Sequence, residues 1–388
     1  MSLGIYIQVP FCQTKCTYCN FHTGVVSSAR FAPYAAAIQS EIREHRFRLG
    51  KAGVSLPASF ESETVDTVYF GGGTPSLLDP AHLQGILEVI CETFHCALGE
   101  ITLEADPETI EPESAQAWAA AGINRVSFGV QSFSDLELKS VGRMHRRADV
   151  YRAMPILHAA GIRNISFDLI AGLPHQTPNS WRNSLDELIS LAPEHVSIYL
   201  LEVDEGSRLG SELLRGGRRY SAASVPSDDA MAESYDLARA TLSRAGYEHY
   251  EISNFAKPGF ASRHNRKYWR REPYLGFGAG AHSFSGMQRW ANVHDSASYV
   301  QSIAGGGTPV EQLELISASQ ALEEELFLGL RQLAGIDLER LRASYGISVE
   351  DRFTSLQSSG LIARNGNVVR LAPEHLSVSN EVFVELMR

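Results

Sequence analysis

Along the first half of the chain, short apolar runs rich in Val, Ile and Phe alternate with longer amphipathic stretches. The runs predict strands at 5–9, 65–70, 100–105, 125–130, 164–170 and 195–200, and the stretches between them predict helices at 33–49, 80–94, 112–121, 148–160 and 179–191. Strands this short and apolar, separated by helices, indicate an α/β fold: a six-stranded parallel sheet covered on its outer face. Beyond the sixth strand the pattern changes. Residues 205–226 are rich in Gly, Ser and Arg and read as a connection to a helix at 229–245, and Gly305-Gly306-Gly307-Thr308-Pro309 marks a boundary. Helices at 318–333, 337–345 and 350–359 then precede a hairpin around Asn365-Gly366, a helical, winged-helix-like arrangement. Three units are expected: 1–205, 206–310 and 311–388.

In such sheets the reactive groups collect where strands end and loops lead into helices. Read strand by strand, that rule selects Cys12, Cys16 and Cys19 after the first strand and Gly71-Gly72-Gly73-Thr74-Pro75 after the second. Glu104 and Asp106 fall at the third, Gln131 at the fourth, Asp168 near the end of the fifth and Glu202 after the sixth. Three thiols in eight residues, after a proline that stops the strand, form a metal-binding loop. They suit an iron-sulfur cubane with one iron left free of protein ligands. Two other readings stand beside it: one face of a helix, or zinc held by the three cysteines and His22. The glycine run lets backbone groups approach a small ligand closely.

The C-x3-C-x2-C spacing, with Tyr18 before the last cysteine, resembles the signature of radical S-adenosylmethionine (SAM) proteins. The stretch from Asn124 through Gln131, then Gly142-Arg143 and Phe167-Asp168 to Gly172-Leu173-Pro174, resembles the coproporphyrinogen-dehydrogenase branch of that superfamily. The resemblance implies that the sheet is an open barrel of partial (β/α)6, TIM-like form, and that it carries a 4Fe-4S cluster on Cys12, Cys16 and Cys19. SAM would be held by Tyr6, by Gly71, Gly72, Gly73 and Thr74, and by Glu104 at the methionine ammonium. Arg143 would take its carboxylate, and Gln131 and Asp168 its ribose. Two departures set the chain apart from the oxidase of that branch. Phe21 stands where the oxidase carries a fourth cysteine, and five residues precede Tyr6 where the oxidase has a long segment.

A second distinctive stretch, His264-Asn265-Arg266-Lys267-Tyr268-Trp269, matches an H-N-x-x-Y-W motif that a haem-binding subgroup of the branch carries. Neutral imidazole binds haem iron, flat aromatic rings suit a porphyrin, and cations pair with its propionates. His264, Tyr268 and Trp269 are therefore candidate haem residues, with His282 as a second candidate ligand. The alternative is a hydrogen-bonded structural histidine beside a wet turn. The resemblance implies a radical SAM-fold haem chaperone that binds cluster, SAM and haem and passes haem to acceptor haem proteins. An oxygen-independent coproporphyrinogen III oxidase and a zinc-stabilised binding module are the alternatives.

Composition narrows this further. At 388 residues, 44% hydrophobic and 20% charged, the chain is an ordinary globular one, and its net charge of -11 argues against a nucleic-acid surface. Of five cysteines three crowd one loop, which argues against a secreted disulfide framework. No leader and no transmembrane run is visible, so a cytoplasmic protein is expected, with at most peripheral membrane contact. Cys91 and Cys96 read as buried structural cysteines, Arg146, Arg147 and Arg152 as a solvated helix face, and the C-terminal unit as structural.

Overall fold

The computed structural model describes residues 2–386. At its centre six strands pair in chain order, each parallel to the next: β1 (Ser2–Val9), β2 (Thr64–Gly72), β3 (His95–Ala105), β4 (Arg125–Gln131), β5 (Asn164–Ala171) and β6 (His195–Leu200). Helices Phe31–Arg43, Pro80–Thr93, Pro112–Ala120, Arg147–Ala159 and Pro178–Leu191 connect them. The alternation predicts this parallel sheet, and the family resemblance its partial-barrel form.

Period-two alternation gives the sheet two unlike faces. Ile5, Ile7, Val68, Phe70, Leu103, Val126, Phe128, Phe167, Leu169 and Ile198 are buried in one apolar cluster with Ile38, Leu83, Trp118, Leu157 and Trp181 from the helices. Each such side chain contributes about 1.5–3 kcal/mol on leaving water, so the outer face holds the barrel together. Residues between them are polar and point the other way.

The remaining strands extend both edges. Beyond β6 lie β7 (Glu248–His249) and β8 (Asn254–Ala256), with β8 antiparallel to β6. Beyond β1, β9 (Tyr274–Phe277) runs parallel to it, followed by antiparallel β10 (His282–Phe284), β11 (Gln288–Asn292) and β12 (Val310–Leu315). Residues after 205 thus complete the same sheet. The Gly305-Gly306-Gly307 turn leads into β12, which still pairs with β11, and the chain leaves the main sheet after Leu315.

Helices Ala318–Arg331, Leu338–Tyr345 and Glu350–Ser358 and a small sheet of β13 (Ile336–Asp337), β14 (Ile362–Asn365) and β15 (Val368–Leu371), in the order β13-β15-β14, form the winged-helix-like unit. It docks on the barrel through Glu324, which pairs with Arg271 at 2.6 Å and Arg289 at 2.9 Å.

Two local expectations differ from the structure. The helix expected over 33–49 breaks at Glu44, where the His45 ring takes the Ile42 carbonyl at 2.8 Å. Cys91 is exposed and Cys96 half-buried, because helix Pro80–Thr93 turns Leu83, Ile86 and Ile90 inward and Cys91 outward. Arg146, Arg147 and Arg152 do lie on an exposed face, Arg147 pairing with Glu187. Among the described residues no helix is long and apolar enough to cross a membrane.

Candidate functional site

The polar faces of the strands meet around a cavity of about 390 Å³. Tyr69, Glu104, Arg125, Ser127, Asp168 and Ser197 line its walls, and Cys12, Cys16, Cys19 and Phe21 line its rim. Gly72, Gly73, Thr74, Gln131, Arg143 and Glu202 also reach it. Residues selected separately at all six strand ends therefore converge on one space, although Gly71 does not itself line it.

The cysteine loop is held by backbone hydrogen bonds at its base. Cys12 N–H donates to Gly24 O at 3.1 Å and Gly24 N–H to Pro10 O at 2.9 Å, so the loop closes on itself. Thr17 N–H donates to Val141 O at 3.0 Å, and Leu209 N–H to Thr17 O at 2.8 Å, fastening its middle from two sides. The glycine run is tied to the same loop: Gly73 N–H donates to Val9 O at 2.9 Å and Thr74 N–H to Phe11 O at 2.7 Å. A Cβ on Gly73 would lie 2.6 Å from Phe11 O, so only glycine permits this approach. The thiols of Cys12 and Cys16 are pushed up mainly by burial; the Arg143 guanidinium, 3.8 Å from Cys16 Sγ, acts in the opposite sense.

Glu104 accepts from Tyr69 Oη at 2.9 Å and from Gly72 N–H at 3.0 Å. Burial raises its pKa to about 7; the Tyr69 and Gly72 hydrogen bonds oppose this, while Asp168 and Asp106 add to it. Asp168 accepts from Ser127 at 3.2 Å, and its pKa too is raised, chiefly by burial. Gln131 reaches the cavity because the β4–β5 register shifts between Phe128 and Gln131, and its φ of 62° places it in the left-handed region. Arg143 is more committed to the protein than expected. It pairs with Asp106, donates to Gly129 O at 2.7 Å, and lies 3.2 Å from His145 Nδ1. Tyr6 stands behind the lining, stacked on Tyr69 with ring centroids 6.0 Å apart, its hydroxyl donating to Gln8 at 2.8 Å.

The H-N-x-x-Y-W stretch lies elsewhere. Helix Arg263–Trp269 closes the barrel at the starting ends of the strands, opposite the cysteine loop. Glu100 of β3 accepts from the backbone of Arg263 and His264, both at 2.9 Å, and from Ser262 Oγ at 3.2 Å, anchoring the helix start. His264 is 1% exposed, with Nδ1 3.0 Å from Thr67 Oγ1 and Nε2 2.8 Å from Tyr268 Oη. Burial drives its pKa down to about 3, so the ring is neutral, and neither nitrogen is free for iron. Tyr268 packs edge-on against Tyr274 at 4.7 Å, and Arg331 of the C-terminal unit covers Trp269 at 4.5 Å. These three residues form a barrel plug, not an open porphyrin surface; only Asn265 of the motif lines the cavity.

Arg125, His195 and Tyr199 also line the cavity and were missed from sequence. The signal was present: Val-Ser-Phe, Ile-Ser-Phe-Asp and Val-Ser-Ile-Tyr alternate strictly, placing every second residue inward. Arg125 is 1% exposed with Nε lacking a hydrogen-bond partner, and His195 is held by Ser166 and Tyr250, both at 2.7 Å.

A barrel of this kind with three rim thiols beside a glycine cradle defines the radical SAM class, and residues 6–188 match the Radical SAM superfamily model. Residues 316–375 match the HemN C-terminal domain. The chain is 35% identical to "Heme chaperone HemW" of Bacillus subtilis, covering 97% of each protein. It is 33% identical to "Radical S-adenosyl methionine domain-containing protein 1, mitochondrial" of Bos taurus, over 99% of this chain and 87% of that one. The solved coproporphyrinogen III oxidase (HemN) from Escherichia coli superposes with a TM-score of 0.84 at 22% identity, over 99% of this chain and 90% of that one, a likeness of fold. The chain belongs to the HemW family of radical SAM proteins. Its cofactors are accordingly a 4Fe-4S cluster and SAM, and the loop fits the cluster by its donor set: three thiols lining one cavity, with a cation beside one of them.

Proposed function

We propose that this protein is a haem chaperone built on the radical SAM fold: it binds cluster and SAM in the barrel mouth, takes up haem, and delivers it to acceptor haem proteins. The observation that carries the reading is the near end-to-end match to proteins named as haem chaperones. The exposed Phe21, beside the thiols and 64% exposed, supports it from the structure. In this reading Cys12, Cys16 and Cys19 hold the cluster, which when bound supplies an open iron for the amino and carboxylate groups of SAM and an electron for its cleavage. Glu104 would accept a hydrogen bond from the methionine amino group, Gln131 and Asp168 would take the ribose, and the Gly71–Gly73 backbone with Thr74 the methionine part. Tyr6 supports Tyr69 from behind, and Arg143, beside the Cys16 thiol, would pair with the methionine carboxylate. We place the protein in the cytoplasm, with residues 1–205 as the core, 206–315 as its extension, since β12 still pairs with β11, and 316–388 as a structural unit.

The complete polar cavity favours one further reading, oxidative decarboxylation of coproporphyrinogen III. Anaerobic, cluster-loaded protein given dithionite, SAM and coproporphyrinogen III separates the two. The chaperone reading expects no vinyl product and transfer of bound haem to an apo-haem protein; efficient turnover to vinyl product without haem transfer overturns it.

A further inference from the structure

With His264 sealed in the barrel plug, haem needs another iron ligand, and the rim provides one. His22 follows Cys19 by three residues on the cluster loop, His282 opens β10, and His294 follows β11. Their chain segments meet beside the cavity mouth. The His22 and His294 rings lie 4.1 Å apart, tilted by 34°. Both His22 and His282 are exposed, and His294 Nδ1 is buried without a hydrogen-bond partner. That nitrogen sits so close over Gly280 that a Cβ there would lie 2.9 Å from it. Desolvation first, then the neighbouring His294, lowers the pKa of both His22 and His282, which favours the neutral imidazole that binds iron.

The surroundings select the ligand class. Among the described residues no three His, Cys, Asp or Glu groups converge to hold a single metal ion. Haem iron makes no such demand, because the porphyrin already supplies four nitrogens and one or two axial positions remain. Phe21 and Val25, 64% and 60% exposed on the same loop, offer apolar surface to a porphyrin face. Lys15, whose Nζ donates to Phe21 O at 3.1 Å, brings a cation for a propionate to the same loop.

We propose that haem docks at the barrel rim over Phe21 and Val25, with His22 as its axial ligand, His294 packed against that ring to orient it, and Lys15 on a propionate. This rests on the haem-chaperone reading and assigns its cargo site to the end opposite the H-N-x-x-Y-W plug. The test is titration of the full-length, cluster-reconstituted protein with haemin, followed by Soret absorption and electron paramagnetic resonance. Wild type is expected to show a histidine-ligated spectrum. His22→Ala is expected to lose that signature and bind at least tenfold more weakly, with added imidazole restoring the signature. His264→Gln, checked for folding by circular dichroism, is expected to keep the wild-type spectrum. Unchanged spectrum and affinity in His22→Ala overturn the assignment while leaving the chaperone reading intact, as does loss of the signature in a folded His264→Gln. Absence of haem binding by wild type overturns both.

Discussion

Single residues set the electrostatics of the cavity. Glu104, with a pKa raised to about 7, sits where a cationic ligand favours its ionised form. SAM entry should therefore expel a proton, and affinity should fall as pH drops from about 8 to about 6, approaching tenfold per unit below the pKa. Titration calorimetry in buffers of different ionisation enthalpy reads the proton directly. Glu108 lines the same cavity and is pushed to about 7, by burial and then by Asp106, so the assignment needs a variant. Glu104→Gln should bind more weakly and flatten the profile; an equally steep profile in that variant would move the titration to Glu108. Of the groups involved, Glu104 and Asp168 were legible because strand-end carboxylates stand out in an apolar run. Arg125 was not, since the first residue of a strand looks like a solvated end until neighbouring strands enclose it.

Among the elements, helix Arg263–Trp269 shows how a motif changes meaning with its surroundings. Its start depends on Glu100, which takes two backbone N–H groups and the Ser262 hydroxyl. Glu100→Ala leaves those buried donors without an acceptor, at a cost of about 1–3 kcal/mol. The urea midpoint should fall accordingly while haem binding at the rim persists; loss of haem affinity in a folded variant would place haem at the plug instead. The six core strands were legible from apolar runs to within about five residues, whereas the short strands β7 to β12 that extend the sheet were not. The inner faces of the core strands are written in the same letters with period two, a signal that the reading at strand ends passed over. The β4 bulge at Gln131 was not legible, because it depends on the register with β5.

The whole molecule is one barrel whose open edges are extended by later strands and whose C-terminal unit is clamped to the plug. Glu324 bridges Arg271 and Arg289, and Arg331 covers Trp269. Glu324→Gln weakens two partly buried charge-assisted contacts, worth about 1.5–3 kcal/mol together. Limited proteolysis between β12 and helix Ala318–Arg331 should accelerate about tenfold or more in that variant; an unchanged cleavage rate would mean that apolar packing alone holds the unit.

By itself the sequence determined whatever depends on near neighbours: the order of the six core strands and their helices, the thiol spacing, and the glycine run after β2. Those features rest on backbone periodicity and on hydrogen bonds between residues close in the chain. Tertiary structure decided which histidines are accessible. His264 and His22 have the same side chain, yet packing against Thr67 and Tyr268 seals one, while assembly of β9 to β11 beside β1 brings His282 and His294 to the other. Burial and the set of available hydrogen-bond partners are properties of the assembled sheet, and residues 22, 282 and 294 meet only once its strands have paired.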